Sequence, residues 1–273
     1  GCSACMPGCP TIFICQPANP PMIAAEIVRP SQLPSQLMVA FPAFVPKLRT
    51  YKSADDAGDP GHLVQTKIFQ TNNERLFMQQ RQLGAHGPHI SAIGIGAMSF
   101  SDFYGATSEA ESHAILTTAL DQGVTHIDTA DVYGGGTSET VIGTFLQQQG
   151  HLKNQLFSIA TKAGIATDKD TGKRYFDNSP AYLQQSVDRS LARLGLDHID
   201  LFYVQRRDAD TPIEEVTETL AAIVKTGKIG GFGFSEIAPT SLRRAAAIHH
   251  VTAVQSEYSL SVRSPELGLI QAT

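Results

Sequence analysis

The stretch GVTHIDTADVYGGG, residues 123–136, ends an apolar run in a carboxylate. Its first half has the composition of a short strand that stops at Asp128, and Tyr133 follows five residues later in a glycine-rich loop. A buried strand gains nothing from a terminal charge unless that charge meets a partner. The stretch therefore predicts that Asp128 and Tyr133 converge with polar groups from elsewhere in the chain.

Strand patterns alternate with helix patterns on both sides of this stretch. A short hairpin is predicted around the turn at 85–88, and Ser108 with Glu111 and Thr211 with Glu214 have the capping-box spacing that starts a helix. Strands are predicted at 92–98, 124–128, 156–162, 199–204, 229–235 and 251–259, each followed by a helix. Such alternation favours parallel strand–helix–strand units.

The architecture that fits these units best is a barrel. No G-x-G-x-x-G phosphate loop follows the first strand, which favours a (β/α)8 TIM barrel over a doubly wound sheet. Only six strands are predicted, so we expect an α/β fold of the TIM-barrel type with about six of the eight units. Truncation is favoured over completion by a partner, because an open barrel leaves two unpaired edges with apolar inward faces.

Polar residues directly follow the apolar runs of the predicted strands. In a TIM barrel the chemistry lies at the carboxyl ends of the strands, where these side chains are brought together. The residues at these positions are Asp128, Lys162, Gln205, Ser235 and Gln255.

Asp128, Lys162 and Tyr133 together have the composition of a tuned proton donor. Tyrosine is a weak acid whose unperturbed pKa is about 10, and a neighbouring ammonium favours the phenolate. A partly buried Lys162 needs a counter-charge, which Asp128 can supply. Singly, the three residues have simpler interpretations as a loop cap, a solvated strand end and an aromatic at the edge of the core. Their occurrence at consecutive strand–helix positions favours a functional role.

Bulk composition excludes several classes of protein. The 273 residues carry a formal net charge of -5 without a basic tract, so no nucleic-acid partner is expected. No apolar run reaches the length of a membrane span, and no secretory signal is recognisable. The predicted location is the cytoplasm.

The first 77 residues differ from the rest. All four cysteines lie in residues 1–15, and nine of the fifteen prolines occur by Pro46. We expect residues 1–77 to be a disordered extension and residues 78–273 to form the partial barrel. The spacing C-x2-C-x3-C-x5-C fits no standard metal template, so a metal site is the less favoured alternative. A transit peptide is another alternative, and in a further hypothesis the natural protein begins at Met78.

Several ordered motifs from about residue 79 onward resemble the aldo-keto reductase family. They are GVTHIDTADVYGGGTSETVIG with its D-T-A-x-x-Y-G pattern, FSIATKAG, LDHIDLFYVQRRD, GKIGGFGFSE and AVQSEYSL. The resemblance implies NADPH-dependent reduction of small aldehydes and ketones, without a metal. It also implies that Asp128, Tyr133 and Lys162 are catalytic. By the same resemblance, Ser235, Glu236 and Gln255 hold the nicotinamide carboxamide, Gly96, Ala97 and Met98 lie near the ribose and the substrate, and Tyr104 lines the substrate mouth.

Two departures from the family pattern leave other functions open. The family has histidine at the position of Gln205, and glutamine can donate a hydrogen bond but cannot relay a proton at pH 7. Slower turnover or a shifted pH profile is therefore expected. The family's seventh and eighth strands, with their adenosine-phosphate loop, have no counterpart, so the expectation of NADPH rests on the resemblance. The alternatives are a non-catalytic module that binds a cofactor or a partner, and an inactive fragment.

Overall fold

The computed structural model describes residues 78–84 and 87–273. Within this part of the chain, strands and helices alternate from Ile95 onward except for a hairpin that follows the strand at Ser158–Ala163. The strands are β1 (Gln80–Gln82), β2 (His89–Ser91), β3 (Ile95–Gly96), β4 (His126–Asp128), β5 (Ser158–Ala163), β6 (Ile165–Thr167), β7 (Arg174–Phe176), β8 (Ile199–Val204), β9 (Ile229–Ser235) and β10 (Ala253–Gln255). The helices are α1 (Glu109–Asp121), α2 (Thr137–Gln148), α3 (Pro180–Leu194), α4 (Ile213–Lys225), α5 (Pro239–Ile248) and α6 (Leu269–Ala272).

Six of these strands form one parallel sheet in the order β3-β4-β5-β8-β9-β10. Consecutive strands of this sheet are neighbours, and each connection carries a helix, as in a TIM barrel. The edge strands β3 and β10 each have a single neighbour among the described residues. The predicted fold, an α/β barrel type with about six of eight units, is confirmed.

Two hairpins flank or interrupt the sheet. Strands β1 and β2 form the antiparallel hairpin that is predicted at the start of the barrel. Strands β6 and β7 form a second hairpin between β5 and α3, which the sequence patterns do not predict. Four short 3-10 turns complete the described elements, at Ala97–Ser101, Tyr133–Gly136, Gly150–Leu152 and Ser264–Leu267.

The two predicted capping boxes have different outcomes. Ser108 caps α1 by accepting from the Glu111 amide, and the Glu111 carboxylate accepts from the Ser108 amide, so this prediction is confirmed. The prediction at Thr211 is wrong. Helix α4 begins after Pro212 without a side-chain cap, and the Thr211 hydroxyl donates to Asp208 instead.

The two faces of the sheet are packed differently. Apolar residues of the helices and strands form one large core, which lies between the sheet and the helices. Ala160, Leu201, Tyr203 and Ala253 form a smaller cluster that contains only strand residues. Since side chains alternate along a strand, Lys162 lies on the same face as Ala160, next to Tyr203 on β8. The candidate site therefore lies on the face opposite the helices.

Two parts of the chain need separate mention. The predicted N-terminal extension, residues 1–77, lies outside the described residues together with its four cysteines. No helix in the described part of the chain is both long enough and apolar enough to cross a membrane.

Candidate active site

A buried ion pair lies at the centre of the site. The Lys162 Nζ atom is 2.5 Å from Oδ2 of Asp128 and donates a second hydrogen bond to the Thr129 carbonyl at 2.7 Å. Both charged side chains are almost fully buried. Burial by itself would lower the pKa of the Lys162 ammonium, but Asp128 and Tyr133 outweigh it and raise that pKa. Lys162 therefore stays charged inside the protein at neutral pH.

Parallel register brings the two partners together. Asp128 is the last residue of β4 and pairs with Ala160 on β5, two positions before Lys162. Asp128 also pairs with Gly96, the last residue of β3, on its other side. Because β4 and β5 end at the same edge of the sheet, the long Lys162 side chain on β5 can contact the Asp128 carboxylate on β4.

Tyr133 is buried beside this ion pair. Its ring centroid is 5.1 Å from the Lys162 Nζ atom, and a hydrogen bond between the two side chains contributes to the raised pKa of Lys162. The ammonium thus lies next to a phenol, where it stabilises negative charge that develops on the phenol oxygen.

The three glycines after Tyr133 are required by the backbone. Gly134, Gly135 and Gly136 all have positive φ, at 59°, 63° and 101°. At Gly136 a β-carbon would also lie 2.6 Å from Cδ of Arg193. Glycine adopts this left-handed conformation without steric cost, and it lets Arg193 approach the loop. The loop is therefore a tight turn that ends the segment bearing Tyr133.

Gln255 extends the polar cluster to the edge strand β10. Its Nε2 atom donates to Oδ1 of Asp128 at 3.1 Å, although the two residues are 127 positions apart. Its Oε1 atom is buried and has no hydrogen-bond partner within the described residues. Gln255 pairs with Ser235, the last residue of β9, so these two side chains lie next to each other at the same sheet edge.

Gln205 directly follows β8 and is also buried. Its backbone amide donates to the Ala163 carbonyl at 2.7 Å, while its side-chain Oε1 lacks a partner among the residues that the structure describes. The next residue, Arg206, donates from Nη1 to the Gln205 carbonyl at 2.6 Å and to the Ser235 hydroxyl at 3.1 Å. Arg206 thereby connects the ends of β8 and β9.

The other predicted cofactor residues lie at the same sheet edge but in different environments. Gly96 ends β3, and Ala97 and Met98 begin the 3-10 turn that follows it. The Ala97 carbonyl accepts from the Ser138 hydroxyl at 2.7 Å. Glu236 has a φ of 55°, and its carboxylate accepts from the Glu257 amide at 2.6 Å and the Ser256 hydroxyl at 3.1 Å. That carboxylate holds the loop after β10, and a cofactor role for Glu236 stays a prediction.

Tyr104 is half-exposed and stacks edge-to-face on Phe103, with ring centroids 4.9 Å apart. Its predicted place at the substrate mouth also stays a prediction.

Three features of the site have no clear signal in the sequence. Tyr203 lies fully buried beside Lys162 with its hydroxyl unpartnered among described residues, and burial, with the nearby Asp128, raises its pKa well above the usual range. The Thr129 carbonyl shares Lys162 with Asp128. Arg206 donates a hydrogen bond to Ser235, although two adjacent arginines in a sequence are typical of a solvated surface.

The arrangement is suited to a particular chemistry. A lysine held charged beside a phenol, with a buried carboxylate behind it, stabilises a tyrosine that gives up a proton. The side-chain oxygens of Gln205 and Gln255, which have no hydrogen-bond partner among the residues described, can accept hydrogen bonds at this edge of the sheet.

Most of the described chain matches one protein family. The aldo/keto reductase family matches residues 92–272. The chain therefore belongs to the aldo/keto reductase family.

Two curated proteins illustrate this relationship. The NADP(+) aldo-keto reductase yakc of Schizosaccharomyces pombe is 42% identical over 186 residues, which cover 67% of this chain and 54% of that protein. A Glycine max protein with the name "Probable aldo-keto reductase 1" is 37% identical over 194 residues, covering 71% and 55% of the two chains. The chain thus spans about half the length of the curated relatives it matches.

Solved structures give the same relationship. The aldo-keto reductase AKR11C1 from Bacillus halodurans, in its holo form, has a TM-score of 0.63 and 32% identity, covering 71% of this chain and 63% of that one. The glycerol dehydrogenase AKR11B4 from Gluconobacter oxydans has a TM-score of 0.62 and 27% identity, covering 72% and 60%.

Proposed function

We propose that this protein is an NADPH-dependent oxidoreductase that reduces small aldehydes and ketones, with Tyr133 as the proton donor. The observation that supports this most directly is the buried Asp128–Lys162 ion pair beside Tyr133. Membership of the aldo/keto reductase family supports the same chemistry.

The ion pair and Tyr133 have separate tasks in this proposal. Tyr133 donates the proton of its hydroxyl to the carbonyl oxygen as the carbonyl group is reduced to an alcohol. Lys162 stabilises the phenolate that remains, because its charge lies 5.1 Å from the ring centroid in a site of low dielectric. Asp128 keeps Lys162 ionised despite its burial.

Gln205 is assigned to the substrate oxygen. Its side-chain amide can donate one hydrogen bond to a carbonyl and so hold it near Tyr133. It cannot become a cation, so it stabilises an oxyanion less than a protonated histidine would. With glutamine instead of histidine at this position, the proposed enzyme is expected to turn over its substrate slowly.

The cofactor residues are assigned by their donor and acceptor pattern. When bound, NADPH supplies the hydride to the carbonyl carbon. A nicotinamide carboxamide has an amide donor and a carbonyl acceptor. Oε1 of Gln255, which has no partner in the described part of the chain, can accept from that donor. The Ser235 hydroxyl can donate to that acceptor, since it already accepts from Arg206. The name of the Schizosaccharomyces pombe relative includes NADP(+), which is why NADPH is proposed over NADH.

A second candidate function is a module that binds the nucleotide without turnover. It is favoured by Gln205, the one position of the candidate site where a proton-relaying side chain of the family is replaced. Both functions predict cofactor binding, and only the first predicts that substrate is converted into product.

The test is an NADPH fluorescence titration followed by turnover of 4-nitrobenzaldehyde. Tyr133→Phe is compared with Tyr175→Phe, which makes the same change at a half-exposed tyrosine of the β6–β7 hairpin. We expect all three proteins to bind NADPH, and turnover to fall by roughly 10²- to 10⁴-fold only in Tyr133→Phe. Binding without turnover in the parent supports the second candidate. An absence of saturable binding contradicts both.

A further inference from the structure

A second ion pair, between a fully buried carboxylate and a partly exposed arginine, lies on the helix side of the sheet, close in sequence to the loop that bears Tyr133. Glu139 belongs to the first turn of α2, three residues after Gly136, and its side chain is fully buried. One carboxylate oxygen, Oε1, accepts from the Thr161 hydroxyl at 2.5 Å. The other, Oε2, accepts from Nε of Arg193 at 2.6 Å.

These contacts reach both sides of the candidate active site. Thr161 precedes Lys162 on β5, so its hydrogen bond holds the strand that carries the lysine. Arg193 lies on α3, and its Cδ and Nε atoms pack where a β-carbon of Gly136 would be, at 2.6 and 2.8 Å. Glu139 thus connects the lysine strand to the arginine that supports the end of the tyrosine loop.

A backbone contact completes the connection. The Asp131 amide, two residues before Tyr133, donates to the Lys162 carbonyl at 2.9 Å. The loop is therefore bound to β5 at its start by this hydrogen bond and at its end through Glu139. Between the two attachment points lie Tyr133 and the glycine turn.

The energetics favour a positioning role for this pair over a purely stabilising one. Removing the Glu139 carboxylate from water costs several kcal/mol, and its attraction to the partly exposed Arg193 guanidinium is expected to do little more than offset that cost. A buried ion pair is therefore weak support for stability by itself. Its directional hydrogen bonds, however, fix the distance between the groups that they join.

We propose that Glu139 is a positioning residue that sets the placement of Tyr133 relative to Lys162, through Thr161 on one side and Arg193 on the other. The proposal rests on the proposed function for its catalytic consequence. The structural consequence, a displaced Tyr133, does not depend on turnover.

The experiment compares Glu139→Gln with Glu214→Gln. Glu214 also pairs with an arginine, Arg244, but this pair lies on the surface between α4 and α5. Each chain is labelled at tyrosine ζ-carbons with ¹³C, and the Tyr133 resonance is assigned with Tyr133→Phe. NADPH binding and turnover are measured on the same samples.

We expect Glu139→Gln to move the Tyr133 resonance and to reduce kcat by about 10- to 100-fold, with KM little changed, because a small misplacement of a catalytic group has effects of this size. Glu214→Gln should change neither quantity. A folded Glu139→Gln protein with an unmoved Tyr133 resonance overturns the proposal.

Two other outcomes, a parent without turnover and a variant that does not fold, are interpreted separately. If the parent does not turn over substrate, the proposed function fails, and the Tyr133 resonance alone decides the positioning role. If Glu139→Gln does not fold, Thr161→Val replaces it, since this change removes the hydroxyl contact and leaves the charge pair intact. Thr161→Ser retains a hydroxyl and should restore the parent resonance, whereas an unmoved resonance in Thr161→Val overturns the proposal.

Discussion

Asp131 gives the strongest prediction about stability. It lies two residues before Tyr133, and its Oδ1 atom is buried without a hydrogen-bond partner in the described part of the chain. Burial, and next the negative charge of Glu139, raise the pKa of Asp131 to about 7 from its ordinary value of 3.8. Arg193, Arg189 and the Val132 amide oppose this shift and only partly cancel it. The substitution that tests it is Asp131→Asn.

The magnitude follows from the two pKa values. Because the folded pKa is higher than the unfolded one, the protein loses stability as pH rises from about 4 to about 7. The pKa values differ by about 3, and each unit corresponds to about 1.4 kcal/mol, so the complete loss is about 4 kcal/mol. Between pH 5 and pH 8 the expected part of this loss is about 2.5 kcal/mol. Asparagine has no charge to bury, so the variant avoids that loss.

The assay is urea unfolding of the parent and of Asp131→Asn at pH 5 and pH 8, with far-UV circular dichroism as the readout. Other titrating groups act on both proteins and cancel when the two free energies of unfolding are subtracted. The variant should gain about 2.5 kcal/mol relative to the parent between the two pH values. Asp121→Asn, an exposed change at the end of α1, is the control and should show no such trend. A difference between parent and Asp131→Asn that is independent of pH would refute the reasoning.

Two other predictions concern the active site and the helix layer. Gln205→His should increase turnover by about tenfold or more and introduce a pH dependence near the histidine pKa, because imidazolium stabilises an oxyanion and glutamine does not; an unchanged rate and pH profile would show that Gln205 is remote from the reaction. Gly143→Ala should destabilise the protein by roughly 1–3 kcal/mol in urea unfolding, since its β-carbon would lie 2.2 Å from the Arg193 carbonyl oxygen. Thr144→Ala, at the next position of the same helix, should change stability by less than about 0.5 kcal/mol, and equal effects of the two changes would contradict the close packing of α2 on α3.

Much of the fold was predictable because its signals are local. The strands at Ile199–Val204 and Ile229–Ser235 have the bounds that the apolar runs predicted. Helix α3 begins after Ser179 and ends directly before Gly195, and both are residue types that favour these flanking positions. Local patterns failed where a nearby competitor existed, as at Thr211, whose hydroxyl donates to Asp208 and leaves α4 uncapped.

The outer strands show a different limit of local patterns. The predicted strand at 92–98 is reduced to Ile95–Gly96, and the one at 251–259 is reduced to Ala253–Gln255. Both are edge strands with one neighbour among described residues. Strand β4 is also reduced, from 124–128 to His126–Asp128, although it pairs with a strand on each side. Edge position therefore does not by itself account for strand length, and composition does not report it.

The sequence by itself determined most of the alternation of strands and helices and placed Asp128 and Lys162 at or near strand ends, since both depend on neighbours along the chain. Periodicity and turn residues thus sufficed to predict that Asp128, Lys162 and Tyr133 would meet. Only the tertiary structure decided the partners that come from distant segments, such as Glu139 with Arg193 and Arg206 with Ser235. The charge state of Asp131 was decided in the same way. Burial and the electrostatic field at a residue are sums over groups close in space, and most of those groups are far away in the sequence.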